Sequence, residues 1–471
     1  MNQAMQLSLQ QIHQWLPGSR LVGDGKLTID RVHTDSRSMQ AHDVFVALQG
    51  ERFDGHDFLA QLPALGVRAA IATHGLAQAG LSGLEVKDTL QALQTLAKAW
   101  RTQFDLPVIA VTGSNGKTTV TQMLASILQS WQGEAALATQ GNLNNHIGVP
   151  LTLLRLRSQH CVAVIELGMN HPGEIAQLSD CAAPTIALVN NAQREHQEFM
   201  HSVRAVAEEN GAVIQALSED GVAVFPATDE HQQLWREYAG SRRIVDFGNL
   251  AAAVHVQHAE WLNTHWQLGL QTPHGELSTR LHLPGQHNVH NAMAAVAAAL
   301  AAGVPVTAIE QGLSRFQPVS GRSKVSLLQH LGRSITLVDD SYNANPDSVR
   351  AAIDVLAQSA APRLLVLGDM GEVGNQGVAF HTEAGEYAQQ QHIEHVLTLG
   401  ELSLHTAAAC ANAEHCHSMD ELQQRVMNLL PALSTVLVKG SRFMRMERVV
   451  QAIQTVDQVQ SAVSAKEATC C

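Results

Sequence analysis

The sequence predicts an α/β protein of three domains. These are a small mixed α/β unit (1–85), a central unit with a mostly parallel sheet (86–314) and a C-terminal Rossmann-like unit (315–460), followed by a disordered tail at 461–471. Three observations carry this reading. Short apolar runs alternate with helical stretches in two separate series, as in βαβ units. One strand-to-helix junction is the glycine-rich turn Val111-Thr-Gly-Ser-Asn-Gly-Lys-Thr-Thr119. The 471 residues suffice for about three domains of ~150 residues, and 45% hydrophobic with 4% aromatic content suits helix-rich α/β packing.

Along the chain, strand-like pieces fall at Leu27–Val32, Val44–Leu48 and Ala69–Ala72, among turns and one helix. Residues 86–105 read as helix, with Leu90, Leu93, Leu96, Ala97 and Trp100 at helical spacing. Strands follow at 107–111, 161–167 and 184–190, and a helix at Val120–Gln129. Residues 220–283 have a different texture. Val222–Phe225, Arg243–Phe247, Ala253–Val256, Trp266–Leu270 and Leu277–Leu283 read as short strands of an antiparallel appendage. An Ala-rich helix, Val289–Ala302, ends at Gly303. The second series has strands at 335–339, 363–367, 395–399 and 435–438, with helices at Asp347–Gln358, His381–Gln391, Met419–Leu430 and Arg445–Gln454.

A formal charge of −13 argues against nucleic acid or an acidic membrane as the main partner. No apolar run approaches the ~18–20 residues of a membrane span, and Met1 to Trp15 lacks a basic segment followed by an apolar one. The six cysteines (161, 181, 410, 416, 470, 471) show no framework spacing, and Cys161 reads as part of a buried strand. Cys410 and Cys416 with His415 and His417 match no common zinc pattern. A reduced, cytoplasmic monomer is expected.

The turn at 111–119 reads as a phosphate-binding loop. Gly113 and Gly116 let the backbone N–H groups of Ser114, Asn115 and their neighbours approach one anion, and the helix N-terminus adds partial positive charge. Lys117 can reach outer phosphates, and the Thr118 hydroxyl, with Thr119 next to it, can ligate Mg²⁺. The general G-x-x-x-x-G-K-[ST] pattern would need glycine where Val111 stands; this is the shorter T-G-x-x-G-K-T form.

Glu166 ends an apolar strand, where ligands of open α/β sheets collect, and is placed to hold Mg²⁺. Asn190 and Asn191 end the next strand, and Glu195-His196-Gln197-Glu198 follow, where imidazole and carboxylate together could bind a second divalent ion. Gly141-Asn-Leu-Asn-Asn-His-Ile-Gly148 is either a polar ligand loop or a plain Asn/Gly turn. Asn288 either caps the Ala-rich helix or presents its amide to an adenine edge. Arg322 suits phosphate, and Asp340, at a strand end, suits ribose hydroxyls.

Taken in order, these motifs resemble the Mur ligase family of ATP-dependent amide ligases. The run is T-D-S-R at 34–37, T-G-S-N-G-K-T-T at 112–119, G-N-L-N-N at 141–145, E-L-G-M-N at 166–170, His196, H-N-x-x-N-A at 287–292, G-R at 321–322, D-D-S-Y-N-A-N-P at 339–346 and K-G-S-R at 439–442. Asp43-Val-Phe-Val-Ala-Leu through Asp54-Gly-His-Asp-Phe58 is similar to the uridine-binding domain of the last two ligases of peptidoglycan precursor synthesis. Glu166–Glu174, Ser341–Pro346 and Leu367–Gly374 have the look of the member that adds D-alanyl-D-alanine to UDP-N-acetylmuramoyl-tripeptide, and the D-N-P-R signature of the diaminopimelate-adding member is absent.

The resemblance implies a central P-loop ATPase domain using ATP and Mg²⁺. Lys117 would hold the β/γ-phosphates, Thr118 and Glu166 one Mg²⁺, and His196 a second. Asn288 would face adenine, Arg322 the phosphates and Asp340 the ribose. Ser36 and Arg37 would lie near uridine; Asn142, Asn144 and Asn145 near the muramyl-peptide; Lys439 and Ser441 near the dipeptide. Many members place a carbamylated lysine after the histidine loop, and that position here is Asn210, preceded by Glu208 and Glu209. The implied expectation is that Glu209 or a water replaces it, or that the second ion binds more weakly. The alternatives are a folylpolyglutamate-synthase-like ligase and a P-loop kinase or NTPase.

Overall fold

The strand Val108–Thr112 organises the central sheet. Its Val-Ile-Ala-Val-Thr run is buried at all five positions, and it pairs in parallel with Val162–Glu166 on one side and Ile186–Val189 on the other. The computed structural model describes residues 5–51, 53–262 and 264–455; the tail expected at 461–471, with Cys470 and Cys471, lies outside them. The sheet has nine strands, in the order Ala136–Ala138, Val162–Glu166, Val108–Thr112, Ile186–Val189, Val222–Pro226, Arg243–Gly248, Val254–Trp261, Trp266–Thr272 and Gly275–Leu281. Strand order reverses at Val108–Thr112, so the loop leaving its carboxyl end opens into the crevice where α/β sheets bind ligands.

The antiparallel appendage expected over 220–283 needs correction. Val222–Pro226 and Arg243–Gly248 continue the parallel sheet, and only the last two strands return antiparallel. Val222–Pro226 is buried on both faces. Trp266–Thr272 alternates strictly because one face is covered and the other solvated. Cys161 also differs from expectation: it is exposed and precedes its strand.

One face of the sheet carries the helices Lys117–Gln132, Gln286–Ala301 and Val306–Arg315. The Ala-rich helix is buried at every residue from Asn291 to Leu300, and its small side chains let it lie between sheet and helix. It starts at Gln286 with Gly285 at the cap, so Asn288 sits in the first turn and is not the capping residue. Ser126 Oγ donates to Gly312 O (2.7 Å) where Val306–Arg315 crosses the loop's own helix.

The N-terminal sheet has five strands, in the order Arg20–Val22, Ser82–Glu85, Ala69–Ala72, Asp43–Val46 and Arg31–His33. The strand read at 27–32 is two shorter ones, Thr28–Ile29 and Arg31–His33, each pairing with a different partner. Leu93, Leu96, Ala97 and Trp100 of the helix Thr89–Arg101 join one core with Val44, Ile71 and Leu84 of this sheet and Val108 and Ala163 of the central one. Arg101, only 6% exposed, donates to the carbonyls of Ala182 (3.0 Å) and Ala183 (3.1 Å) at the end of the helix Glu174–Ala182, where the helix dipole favours a cation.

The C-terminal sheet has six strands: Lys324–His330, Arg333–Asp340, Thr435–Lys439, Arg363–Gly368, His395–Leu399 and Ala413–Cys416. Only the first pair is antiparallel. Polar ties to the segment Asn345–Asp347 and to Glu383 help set this sheet against the central one. Arg194 donates from its guanidinium to Asp347 (2.6 and 3.1 Å) and Glu383 (2.7 and 3.1 Å), and from its backbone N–H to Asp347 (2.8 Å). Asn115 and Asn345 exchange amide hydrogen bonds (2.9 and 3.3 Å).

A Cβ at Gly312 would collide with the backbone of Ile127, so Gly312→Ala should lower stability by about 2 kcal/mol, read from urea unfolding; an unchanged midpoint would count against the close packing. Arg194→Ala should speed amide exchange in the first turn of Pro346–Ala357 while leaving the sheet strands protected, since these charge-assisted bonds carry much of the contact. Equal exchange in both proteins would show that Arg194 does not hold the two sheets together.

Candidate active site

The loop at 113–116 takes its shape from the carboxyl ends of the neighbouring strands. Gly113 (φ +132°) and Gly116 (φ +81°) adopt backbone conformations that other residues rarely reach. A Cβ at Gly116 would also strike the amides of Asn291 and Asn190. Asn115 N donates to Asn191 Oδ1 (2.8 Å), and Asn115 O accepts from Asn190 Nδ2 (2.7 Å) and Asn191 Nδ2 (3.0 Å). Ser114 N donates to Asn191 O (3.1 Å). Asn190 Nδ2 also donates to Asn291 Oδ1 (2.9 Å) on the Ala-rich helix.

A cleft of about 710 Å³ opens above this loop. Of the residues expected from sequence, Ser114, Asn115, Gly116, Lys117, Thr118 and Thr119 line it, as do Asn142, Asn144, Asn145, Glu166, His196, Asn288, Arg322, Asp340 and Lys439. Gly113, Ser36, Arg37 and Ser441 do not. Ser36 and Arg37 form a short turn on the N-terminal unit, where Arg37 forks onto Asp35 (2.7–3.2 Å). The buried Ser441 hydroxyl accepts from Gly371 N (2.7 Å) and donates to Ala344 O (3.2 Å), so it bridges two loops instead of facing the cleft.

Glu166 is 1% exposed. Its Oε1 accepts from Thr118 Oγ1 (2.9 Å) and Asn144 Nδ2 (2.8 Å), while Oε2 is buried without a hydrogen-bond partner. A buried, unpaired carboxylate oxygen is costly, and a cation beside Thr118 would satisfy it. Asn145 has a different task from Asn144: its Oδ1 accepts from Ile147 N (3.2 Å) and Gly148 N (2.9 Å), opening the helix Gly148–Leu153. The turn reading of the 141–148 loop thus holds for Asn145, while Asn142 and Asn144 line the cleft.

Lys117 Nζ donates to Gly113 O (2.5 Å), Ser114 O (3.1 Å) and Glu195 Oε1 (2.6 Å). His196, in a left-handed conformation (φ +48°), has Nε2 3.4 Å from Glu195 Oε1 and Nδ1 2.5 Å from Glu372 Oε2. Burial opposes its charge, yet the two carboxylates outweigh burial and push its pKa up to about 9. Glu372 comes from the C-terminal unit, within the Leu367–Gly374 motif, but nothing in its spacing announced the contact.

Glu209 does not replace a modified lysine here. Its carboxylate accepts from Gly173 N (2.8 Å) and Ile175 N (2.7 Å), capping the helix Glu174–Ala182. Asn210 is fully buried and accepts from Thr112 Oγ1 (2.6 Å). Neither lines the cleft.

On the facing wall, Arg322 stacks 4.4 Å from the Tyr342 ring centre. Asp340 and Lys439 are register partners on adjacent parallel strands, and Lys439 Nζ donates to Asp340 Oδ2 (2.5 Å) and Asn343 O (2.9 Å). Burial works against the Asp340 charge, but Lys439 holds its carboxyl below the ordinary range. Its Oδ1 accepts from the N–H and hydroxyl of Ser323 (2.9 and 3.1 Å). Asn288 commits both amide protons within the fold, to Pro284 O (2.7 Å) and His287 Nε2 (3.0 Å).

Among the described residues, no three His, Cys, Asp or Glu side chains form a ready-made metal cage. The donor pair Thr118 and Glu166 fits Mg²⁺, which usually takes one or two carboxylates and completes its shell with phosphate oxygens and water. Among the described residues, no helix is long and apolar enough to cross a membrane.

Comparisons with known proteins agree with this geometry. Family models match at residues 28–101 (Mur ligase family, catalytic domain), 111–299 (Mur ligase middle domain) and 323–442 (Mur ligase, glutamate ligase domain). The UDP-N-acetylmuramoyl-tripeptide–D-alanyl-D-alanine ligase of Escherichia coli (strain K12) is 41% identical over 432 residues, covering 91% of this chain and 94% of that protein. A crystal structure of MurF from Acinetobacter baumannii superposes with a TM-score of 0.88 at 35% identity, covering 96% of this chain and 99% of that one. The MurF ligase of Thermotoga maritima in complex with ADP shares the fold, with a TM-score of 0.79 at 24% identity over 91% of this chain and 98% of that one. With a phosphate loop, a strand-end acid and a facing basic wall on one cleft, and family matches along most of its length, this chain belongs to the Mur ligase family.

Proposed function

We propose that this protein joins the amine of D-alanyl-D-alanine to the terminal carboxylate of UDP-N-acetylmuramoyl-tripeptide, using ATP and releasing ADP and phosphate. It acts as a cytoplasmic monomer in peptidoglycan precursor synthesis. The observation that carries the reading is the single cleft in which the loop at 113–119, Glu166 and the wall at Arg322, Asp340 and Lys439 face one another. The names of the full-length relatives support the substrate pair, as do the motifs at 166–174, 341–346 and 367–374.

A peptide carboxylate is a poor acyl donor because oxide cannot leave. Its attack on the γ-phosphorus of ATP gives an acyl phosphate, whose phosphate leaves readily when the dipeptide amine attacks. The first step brings two anions together. Lys117 and the loop N–H groups offset that repulsion from the central sheet, and Arg322 offsets it from the C-terminal one. Thr118 and Glu166 would hold Mg²⁺, with His196 beside a second ion. Bound there, Mg²⁺ neutralises phosphate charge and polarises the transferred group. The Arg194 and Asn115–Asn345 contacts close the cleft, keeping water from the acyl phosphate. Ser36 and Arg37 serve the uridine end of the substrate from the N-terminal unit.

A folylpolyglutamate-synthase-like reading fits less well, because the family match extends over residues 28–101, the region with the uridine-type motifs. A kinase or NTPase switch would require neither the first unit nor the third. ADP release should therefore depend on UDP-muramyl-tripeptide plus D-alanyl-D-alanine, and not on folate or a hydroxyl acceptor.

Lys117→Ala should lower ligation by at least ~10²–10³-fold with an unchanged circular-dichroism spectrum; substantial product from that variant would refute the assignment. Tripeptide labelled with ¹⁸O in its acceptor carboxylate should pass one label to phosphate. Unlabelled phosphate would rule out the acyl-phosphate step.

A further inference from the structure

We propose that Glu195 is the carboxylate ligand of the second divalent cation, beside His196. This deepens the ligase reading and rests on it. Six acids line the cleft: Glu166, Glu174, Glu195, Asp229, Asp340 and Asp347. Four are committed within the fold. Glu174 accepts from the backbone of Asn170 and His171 (2.6 and 3.2 Å), and Asp229 from Ala192 N and His231 N (3.1 and 2.8 Å). Asp340 is paired with Lys439 and Asp347 with Arg194. Only Glu166 and Glu195 keep a buried oxygen without a hydrogen-bond partner.

These two acids stand beside consecutive residues of the phosphate loop. Thr118 bonds Glu166 and Lys117 bonds Glu195, so each acid has one anchored oxygen and one open to a cation. Glu195 is 6% exposed. Lys117 and His196 both reach Oε1, so neither satisfies Oε2, and a buried carboxylate oxygen without a partner is costly. His196, whose ring faces Glu195 and Glu372, becomes the other protein ligand by giving up its proton as the cation binds, and phosphate oxygens and water complete the shell. A carboxylate built into the sequence also makes the site independent of lysine carbamylation, for which Asn210 has no amine.

The test is Mn²⁺ titration of the full chain with β,γ-methylene-ATP, with free Mn²⁺ read by electron paramagnetic resonance. The wild type should bind two Mn²⁺ per chain, equally well in carbon-dioxide-free buffer. Glu195→Gln keeps an oxygen for Lys117 but loses the charge. It should bind the first Mn²⁺ and the nucleotide within about twofold of wild type and the second at least tenfold more weakly, with an unchanged unfolding midpoint. A variant that binds both ions as the wild type does, or a wild type that binds only one, overturns the proposal. So does a second ion that disappears without carbon dioxide. Loss of all nucleotide-dependent Mn²⁺ binding in the wild type would instead refute the ligase reading beneath it.

Discussion

The cleft is referenced to one short piece of backbone, residues 113–116, held by the side-chain amides of Asn190, Asn191 and Asn291. An amide both donates and accepts, so three of them can fix a turn without placing a charge under the phosphates. Asn190 and Asn191 sit at the carboxyl end of a strand adjacent to the loop's own, and Asn291 sits in the first turns of the Ala-rich helix. The parallel register of the sheet thereby becomes the position of the phosphate loop. The glycines are required for the same reason, since a side chain at 116 would displace two of the three amides.

From that reference the two acids of the site acquire separate work. Thr118 points to Glu166 and Lys117 to Glu195, so successive residues at the helix start organise two centres of negative charge. The second sheet is tied to the same loop, because Asn345, which caps the helix Pro346–Ala357, is also the amide partner of Asn115. Arg194 adds a charge-assisted tie one residue before Glu195. Closure of the C-terminal wall and the geometry around the phosphates are thus linked through neighbouring residues of one segment, 193–196.

Much of this was legible in the chain. The run Val108–Thr112 followed by Gly-Ser-Asn-Gly-Lys-Thr specifies strand, turn and helix by composition alone. Glu166, at the end of an apolar run, could be placed at a strand terminus on the same reasoning. Local pattern failed where burial depends on distant elements. Val222–Pro226 and Arg243–Gly248 read as an appendage because a short strand does not reveal which neighbour it joins. The choice for Asn288 between cap and adenine contact stayed open because a local window cannot see that Gly285 takes the cap. Glu209, one of the replacements the resemblance offered for the modified lysine, faces the start of another helix instead.

The sequence by itself determined the α/β class, the phosphate loop, the strand-end acids and the family motifs, because each rests on neighbours within a few residues. The tertiary structure alone decided which polar groups remain open to a ligand. Hydrogen-bond partners come from anywhere in the chain, so only the folded molecule shows that Glu174, Glu209 and Asp340 are satisfied internally while Glu166 and Glu195 are not.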